Sequence, residues 1–304
     1  MSRLTARLMT GLGLLTIPGL AGAVPLDPGH AFTSAPALAA LPDGGFVAVW
    51  VRERQEISLG GSFCTPERLV GARLDDDGSP AAAPQAIELP EGDLVGNPRM
   101  AATDGGATAL SWQGPGGLRV GALRDDFAVA SASLLTSCPV RSHALVAAGD
   151  GFWAAWSESC AGLRVRAQRL DREARPVGPI VEVADPFGQP GASVALAGRP
   201  DGGFSAAWIE SVAAIGRRVL GGRFRADGSL VGAVFPVSPG ASSAGLSLAA
   251  ATLSDGRMAF AWKDGDGRLL WRRFTPTPAP SGPIVQAAEL AAPREEAPRF
   301  AVGP

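Results

Sequence analysis

The stretch PDGGFVAVW, Pro42 to Trp50, returns almost letter for letter as PDGGFSAAW, Pro200 to Trp208. Looser copies are RMAATDGGATALSW (Arg99–Trp112), ALVAAGDGFWAAW (Ala144–Trp156) and SLAAATLSDGRMAFAW (Ser247–Trp262). Trp50, Trp112, Trp156, Trp208 and Trp262 therefore occupy one position of a repeating unit. Self-similarity at such a period signals a repeat architecture. Asp-Gly between two apolar runs is a hairpin signal, and it predicts a type I′ turn with positive φ at both central residues. In the strand after the turn, side chains alternate between faces. Phe46, Ala48 and Trp50 share one face, and Val47 and Val49 share the other. The matching sets are Thr108, Leu110, Trp112; Phe152, Ala154, Trp156; Phe204, Ala206, Trp208; and Met258, Phe260, Trp262. Both faces are apolar, so the strand is expected to be buried on both sides and its Trp to be structural.

Each unit has a second half, such as VGARLDDDGSPAAAPQAIEL (Val70–Leu89) or LGGRFRADGSLVGAVFPV (Leu220–Val237). It adds two more short strands divided by Gly, Asp and Pro. A four-stranded sheet apolar on both faces packs between two others, which describes a blade of a β-propeller. The predicted fold is thus all-β, a β-propeller of four-stranded blades of about 50 residues. Five full repeats span 36–89, 97–137, 142–185, 192–237 and 245–290, with a partial sixth at 297–304. Closure is open between five blades with spare ends and a sixth remnant blade.

Composition narrows the function classes. The chain has 304 residues, 46% of them hydrophobic, with 40 Gly, 26 Pro, no Tyr, two His and a net charge of −2. That balance supports a core and gives no basic surface for nucleic acid. Arg3 and Arg7 precede an apolar run, LMTGLGLLTIPGLAG (Leu8–Gly22), and Ala21–Ala23 suits cleavage. Residues 1–23 read as a cleaved signal peptide, and 24–304 as a single repeat domain. The expected location is periplasmic or extracellular, with no membrane insertion after cleavage, since Pro18 and the short run fall below the roughly 20 apolar residues of a spanning helix.

PALAALPDGGFVAVW (Pro36–Trp50) with ARLDDDG (Ala72–Gly78), and VALAGRPDGGFSAAW (Val194–Trp208) with GRFRADG (Gly222–Gly228), resemble repeats of large bacterial exported and surface proteins. The resemblance runs over nearly all of 24–304. It implies a propeller-like surface module without a general catalytic motif. Thr108 stands where the pattern has Phe, so the second unit departs from it.

Candidate sites lie mainly after the repeated Trp, in polar segments of unequal length that read as loops: VRERQEISLGGSF, QGPGG, SESCAG, IESVAAIG and KDGDG. Function in a repeat fold tends to sit on such loops. The binding candidates there are Arg52, Glu53, Arg54, Glu158, Glu210, Lys263 and Asp264. Arg73, Arg169, Arg223 and Arg273 recur along a later strand and are expected to meet turn carboxylates or solvent. Asp75–Asp77, Asp264 and Asp266 resemble pieces of calcium loops but lack the alternate spacing and closing Glu, so no metal or cofactor is expected. Of Cys64, Cys138 and Cys160, up-and-down topology puts Cys138 and Cys160 on adjacent elements, which predicts their disulfide. His143 has no nucleophile–base–acid set around it in sequence, so no catalytic residue is assigned. These observations lead to an expected non-enzymatic module binding a macromolecule, a protein rather than a glycan. The alternatives are a lectin-like glycan binder using Trp153 or Trp271, and a hydrolase or lyase with His143 beside two carboxylates.

Overall fold

The computed structural model describes residues 14–15, 24–25, 36–58, 61–89, 96–160, 162–184, 189–212, 216–239 and 244–289. Most of the signal segment 1–23 and all of the partial sixth repeat 297–304 lie outside the described residues. A two-residue ladder pairs β1 (Leu14–Leu15) with β2 (Val24–Pro25). All remaining strands fall into five four-stranded antiparallel sheets, each a simple meander.

Blade 1 holds β3 (Ala37–Ala40), β4 (Phe46–Ser58), β5 (Gly61–Leu74) and β6 (Gln85–Ile87). Blade 2 holds β7 (Gly96–Ala102), β8 (Thr108–Gly114), β9 (Gly117–Leu123) and β10 (Val129–Thr136). Blade 3 holds β11 (Val140–Ala148), β12 (Gly151–Glu158), β13 (Arg164–Leu170) and β14 (Pro176–Glu182). Blade 4 holds β15 (Gln189–Gly198), β16 (Phe204–Val212), β17 (Gly216–Phe224) and β18 (Phe235–Pro236). Blade 5 holds β19 (Ala244–Thr252), β20 (Met258–Asp264), β21 (Arg268–Phe274) and β22 (Val285–Glu289). By contacts the chain divides into two compact units. One is residues 1–136 with 173–175, carrying blades 1 and 2; the other is 137–172 with 176–304, carrying blades 3 to 5.

The turn chemistry differs from the type I′ expectation. In blade 4 the Gly202 N–H donates to the Arg199 carbonyl at 3.1 Å, and the Arg199 N–H donates to Gly203 O at 3.0 Å. Pro200 and Asp201 are thus the central pair of a type I turn, and Gly202 follows in the left-handed region at φ +81°. This is the three-residue hairpin loop of a type I turn plus a left-handed residue. The Asp-Gly step sits one place later than a type I′ turn requires, because Pro200 already holds the φ that the first central residue needs. The third-to-fourth turns use the same geometry, with the Gly78, Phe127 and Gly228 N–H groups donating back three residues. Phe127 and Ala174 take the left-handed place at φ +61° and +56°.

Packing follows a face rule within each unit. In the first, Val47, Val49 and Val51 of blade 1 meet Leu110 and Trp112 of blade 2. In the second, Ala155 and Val165 of blade 3 meet Phe204, Ala206 and Trp208 of blade 4. Ala207 and Ile209 of blade 4 then meet Met258, Phe260 and Trp262 of blade 5. The bulky face of one blade thus fills against the smaller face of the blade before it. All five repeated Trp side chains are buried. First strands come close together: a Cβ on Gly198 of β15 would lie 1.7 Å from the Ala147 carbonyl oxygen of β11. Outer strand β14 is exposed along nearly its whole length and carries Pro176 and Pro179. Proline withholds ladder donors, so that edge resists pairing with another chain.

Candidate functional site

The second strands run past the repeated Trp, so several segments expected to be loops are paired backbone. In blade 1 the β4–β5 ladder continues to Ser58 opposite Gly61. Arg52 lies opposite Arg68, Glu53 opposite Pro66, Arg54 opposite Thr65, and Cys64 opposite Gln55. Glu53 is buried. Glu158, Glu210 and Asp264 each stand two residues after the Trp of blades 3, 4 and 5. Alternation puts each carboxylate on the Trp side of its sheet.

An arginine of the neighbouring third strand meets each one. Arg166 Nη1 donates to Glu158 Oε1 at 2.5 Å, and the Trp156 indole N–H donates to Glu158 Oε2 at 2.8 Å. Arg166 Nε also reaches Glu182 Oε1 at 3.0 Å. Arg218 Nε donates to Glu210 Oε2 at 2.5 Å. In blade 5 the Arg268 Nε donates to Asp264 Oδ2 at 2.7 Å, while Asp264 Oδ1 accepts the N–H groups of Asp266 and Arg268 at 3.0 and 2.8 Å. Glu158 and Asp264 are 2% and 6% exposed. Buried carboxylates need such counter-charges and donors, since removing an ion from water costs several kcal/mol. The Glu210 side chain is 14% exposed and its partner 44%. Lys263 is buried, opposite Leu269 in the ladder.

The arginines at these strand ends, Arg166, Arg218 and Arg268, were not singled out from sequence. Their signal is an arginine within the first three residues of the third strand of each of these blades. The recurring Arg73, Arg169 and Arg223 act elsewhere, at the turn end. Arg73 pairs with Asp125 of the next blade, Arg169 reaches the Ala226 carbonyl, and Arg223 reaches the Pro276 carbonyl. Each clasps the third-to-fourth turn of the following blade. Arg273 lies over the Trp271 ring at 5.3 Å. Beside Arg73, a crevice of about 10 Å³ is lined by Val47, Thr108, Phe127 and neighbours, room for one water.

The acidic turn residues serve the backbone. Asp76 accepts from the Gly45 N–H, and Asp77 accepts from the Ser79 N–H at 2.8 Å. Asp264 and Asp266 are tied to Arg268. Cys138 and Cys160 form a disulfide with Cα atoms 5.4 Å apart. It closes the ends of the β11–β12 hairpin, beside Glu158. His143 is buried on β11 opposite Trp156. Trp153 is 2% exposed, its ring tilted against Phe204 with centroids 4.4 Å apart and its indole N–H on the Gly202 carbonyl at 3.0 Å. It is packing, and the lectin-like reading through Trp153 is corrected on that ground. Trp271 is half-buried, with Arg273 over its ring.

No family model and no curated protein matches the sequence. Solved structures do share the fold. A protein of unknown function from Dyadobacter fermentans is 14% identical at a TM-score of 0.57, covering 86% of this chain and 83% of its own. The Penicillium chrysogenum alpha-L-arabinanase complexed with arabinobiose is 15% identical at 0.52, covering 83% and 79%. AofleA from Arthrobotrys oligospora is 10% identical at 0.51, covering 87% and 74%. The protein is therefore an all-β propeller of about five blades.

The same finding overturns the expected non-enzymatic module. An arabinanase stands on this fold, so the architecture does not argue against catalysis. The missing triad loses its weight for a physical reason. Glycoside hydrolysis typically uses two carboxylates flanking the scissile bond, and a pair drawn from separate strands leaves no contiguous motif to find.

Proposed function

We propose that this chain is a glycoside hydrolase working in an oxidising, extracytoplasmic compartment. The observation that carries the reading is the repeated strand-end carboxylate of blades 3 to 5, each held by an arginine. The likeness of the fold to an arabinanase bound to arabinobiose supports a saccharide as the substrate class. Both Glu158 oxygens and both Asp264 oxygens are occupied by donors. These two carboxylates shape the charge of the site. Glu210 is bonded through Oε2 and is the more exposed of the three. It is the carboxylate placed to exchange a proton with a glycosidic oxygen or a water. The Cys138–Cys160 disulfide and the apolar leader with Arg3 and Arg7 support export.

The test is reducing-end release from arabinan, arabino-oligosaccharides and a panel of plant and bacterial polysaccharides. Release by the wild type, with Glu210→Gln lowering the rate by about 100-fold or more, is the expected result for a general acid–base residue. No release from any member of the panel rejects the reading. Release that survives Glu210→Gln moves the proton transfer to another carboxylate.

A further inference from the structure

Asp-Gly recurs in every blade. In each such step the Asp carboxyl carbon is one ring closure away from the following backbone nitrogen, and glycine has no Cβ to obstruct the approach. Most of these steps are held by hydrogen bonds. In blade 4 the Gly202 N–H donates to the Arg199 carbonyl at 3.1 Å, and Asp201 Oδ1 accepts the Gly203 N–H at 3.1 Å. In blade 5 the Gly256 N–H donates to Leu253 O at 2.9 Å, and Asp255 Oδ1 accepts the Arg257 N–H at 3.0 Å. Asp77–Gly78 and Asp227–Gly228 are tied in the same two ways. The Gly44 N–H donates to Leu41 O at 3.2 Å, and the Gly267 N–H to Asp264 O at 3.1 Å. Gly151 is buried at the start of β12, with Ala148 opposite in the ladder. The Asp264 carboxylate is buried and fully engaged, as described above.

Blade 2 differs by one place. The Thr103 N–H donates to Ala107 O and the Gly106 N–H to Thr103 O, both at 2.9 Å. Asp104 and Gly105 are therefore the central pair, and Gly106 takes the left-handed place at φ +80°. In blades 1, 4 and 5 the Asp stands second in the central pair, and the glycine after it carries the turn's closing N–H. In blade 2 the Asp stands first, and the glycine after it is the residue whose N–H lies outside the closing bond of the turn. The forward cap that Asp201 supplies in blade 4 comes here from Thr103, whose Oγ1 accepts the Ala107 N–H at 3.1 Å. Among the described residues neither the Asp104 carboxylate nor the Gly105 N–H forms a hydrogen bond or ion pair. Both residues are exposed. A Cβ on Gly105 would have only Thr103 Oγ1 nearby, at 3.8 Å.

We propose that Asp104–Gly105 is a site of spontaneous backbone modification, at which aspartate converts to isoaspartate. The Gly105 nitrogen attacks Cγ of the Asp104 carboxylic acid. The new N–Cγ bond closes a five-membered succinimide, and the carboxyl hydroxyl leaves with the N–H proton as water. Water then adds back to the ring. Breaking the N–Cγ bond restores aspartate. Breaking the bond from that nitrogen to the Asp104 main-chain carbonyl carbon leaves the chain running through Cβ and Cγ. Composition is unchanged, and water is the sole co-reactant. Ring closure needs a rotation about the Asp104 Cα–C bond, and neither reacting group gives up a hydrogen bond of its own to make it. The product lengthens the backbone of the β7–β8 turn by one methylene and sets a free carboxylate on the former Cα. The chemistry is independent of any hydrolase activity.

The experiment ages the full chain for weeks in neutral buffer and maps its peptides by electron-transfer fragmentation, which separates aspartate from isoaspartate. Isoaspartate is expected first at residue 104, at least about tenfold ahead of Asp201 and Asp227, because each hydrogen bond kept there lowers the reactive population. In guanidinium chloride, where the turns are gone, the Asp-Gly steps should convert at similar rates. Gly105→Ala should slow conversion at Asp104 several-fold, since its Cβ crowds the attacking nitrogen. It should not lower the melting temperature, because Gly105 lies outside the left-handed region, and this also shows that the variant folds. Asp104→Glu should abolish the conversion on this timescale, because the ring would need a sixth member. Equal accumulation at Asp104 and at the bonded steps of the folded chain overturns the proposal. Earlier accumulation at any other Asp-Gly step overturns it too. A lead at Asp104 that persists in guanidinium chloride removes the turn as its cause. Conversion at Asp104 in guanidinium chloride but not in the folded chain shows that the turn protects the step, and the proposal falls.

Discussion

The two ends of each sheet obey different rules. At the turn end four of the five first-to-second hairpins reverse with one geometry, while blade 3 turns through the two residues Gly149 and Asp150 between Ala148 and Gly151. Gly202, Gly106 and Gly256 each take the left-handed place of a first-to-second turn, and Gly78, Phe127 and Gly228 take it in third-to-fourth turns. The carboxylates there serve N–H groups two residues on, as Asp201, Asp227 and Asp255 do. At the other end, beyond the repeated Trp, the blades diverge. Blade 1 extends its hairpin to Ser58 and Gly61, blade 3 is stapled by a disulfide, and blades 3 to 5 set carboxylates against arginines. Repetition at the first end reports backbone geometry, which admits few solutions. Divergence at the second marks where the scaffold has been put to different uses.

If that division holds, the largest stability losses come from the core shared by all blades. Trp208 is buried between blade 4 and blade 3, among Ala155, Val165 and Leu220. Trp208→Ala should destabilise by about 3–5 kcal/mol in chemical denaturation. A loss under about 1 kcal/mol would mean that the repeated Trp is not the inter-blade packing residue, and the face rule would fall with it.

Next comes a change confined to the variable end. Replacing Cys138 and Cys160 by Ser removes a cross-link of sequence separation 22. The chain-entropy account gives about 3 kcal/mol for a loop near that size. The fold should persist, and the disturbance should centre on Val140, Glu158 and Ser159, readable by amide hydrogen exchange. Exchange that accelerates equally at the Gly202 and Gly228 turns would show that the two ends are coupled after all.

Legibility in the sequence follows the same division. The strands, the Trp positions and the disulfide were readable because each rests on local periodicity or simple meander topology. The turn type was misread because Asp-Gly can hold the central pair or the last two places of a hairpin loop. Pro42 and Pro200, ahead of Asp43 and Asp201, were the distinguishing residues. Glu158 and Asp264 looked like loop residues because a charged side chain in a buried strand needs a partner that lies elsewhere in sequence. Arg166 opposes Trp156 in the ladder, eight residues past the Glu it neutralises, and no spacing rule announces it. Arg73 is similar: its partner Asp125 belongs to another blade. A catalytic carboxylate pair would be hidden for the same reason, which is why the enzyme reading came only with the fold.

A smaller effect tests the turn end directly. Gly202→Ala places a side chain at φ +81°, with its Cβ 3.3 Å from that of Ala226. A left-handed non-glycine residue costs about 1–2 kcal/mol. The reciprocal change, Ala174→Gly, relieves φ +56° and should gain a smaller amount of the opposite sign. Losses from both variants would show that the left-handed conformation is not what these positions select.

The smallest effect is acid sensitivity of the turns. The Ser79 N–H, with the Ser79 hydroxyl, holds the Asp77 carboxyl below its ordinary range. The Ser229 hydroxyl and N–H do so for Asp227, and the Arg257 side chain and N–H for Asp255. A carboxyl whose folded pKa lies below the unfolded value stabilises the fold at pH above the unfolded value, about 3.9. That contribution fades as pH falls through the lower, folded value. All three side chains face solvent, so the loss should be modest and should shrink with added salt. The urea midpoint should therefore drop between pH 7 and pH 3. In a triple variant carrying Asp77→Asn, Asp227→Asn and Asp255→Asn the drop should be shallower, because an amide keeps the acceptor oxygen without titrating. An unchanged acid limb would show that these three carboxylates do not set it, and the end that looks like inert scaffold would then carry no titrating weight at all.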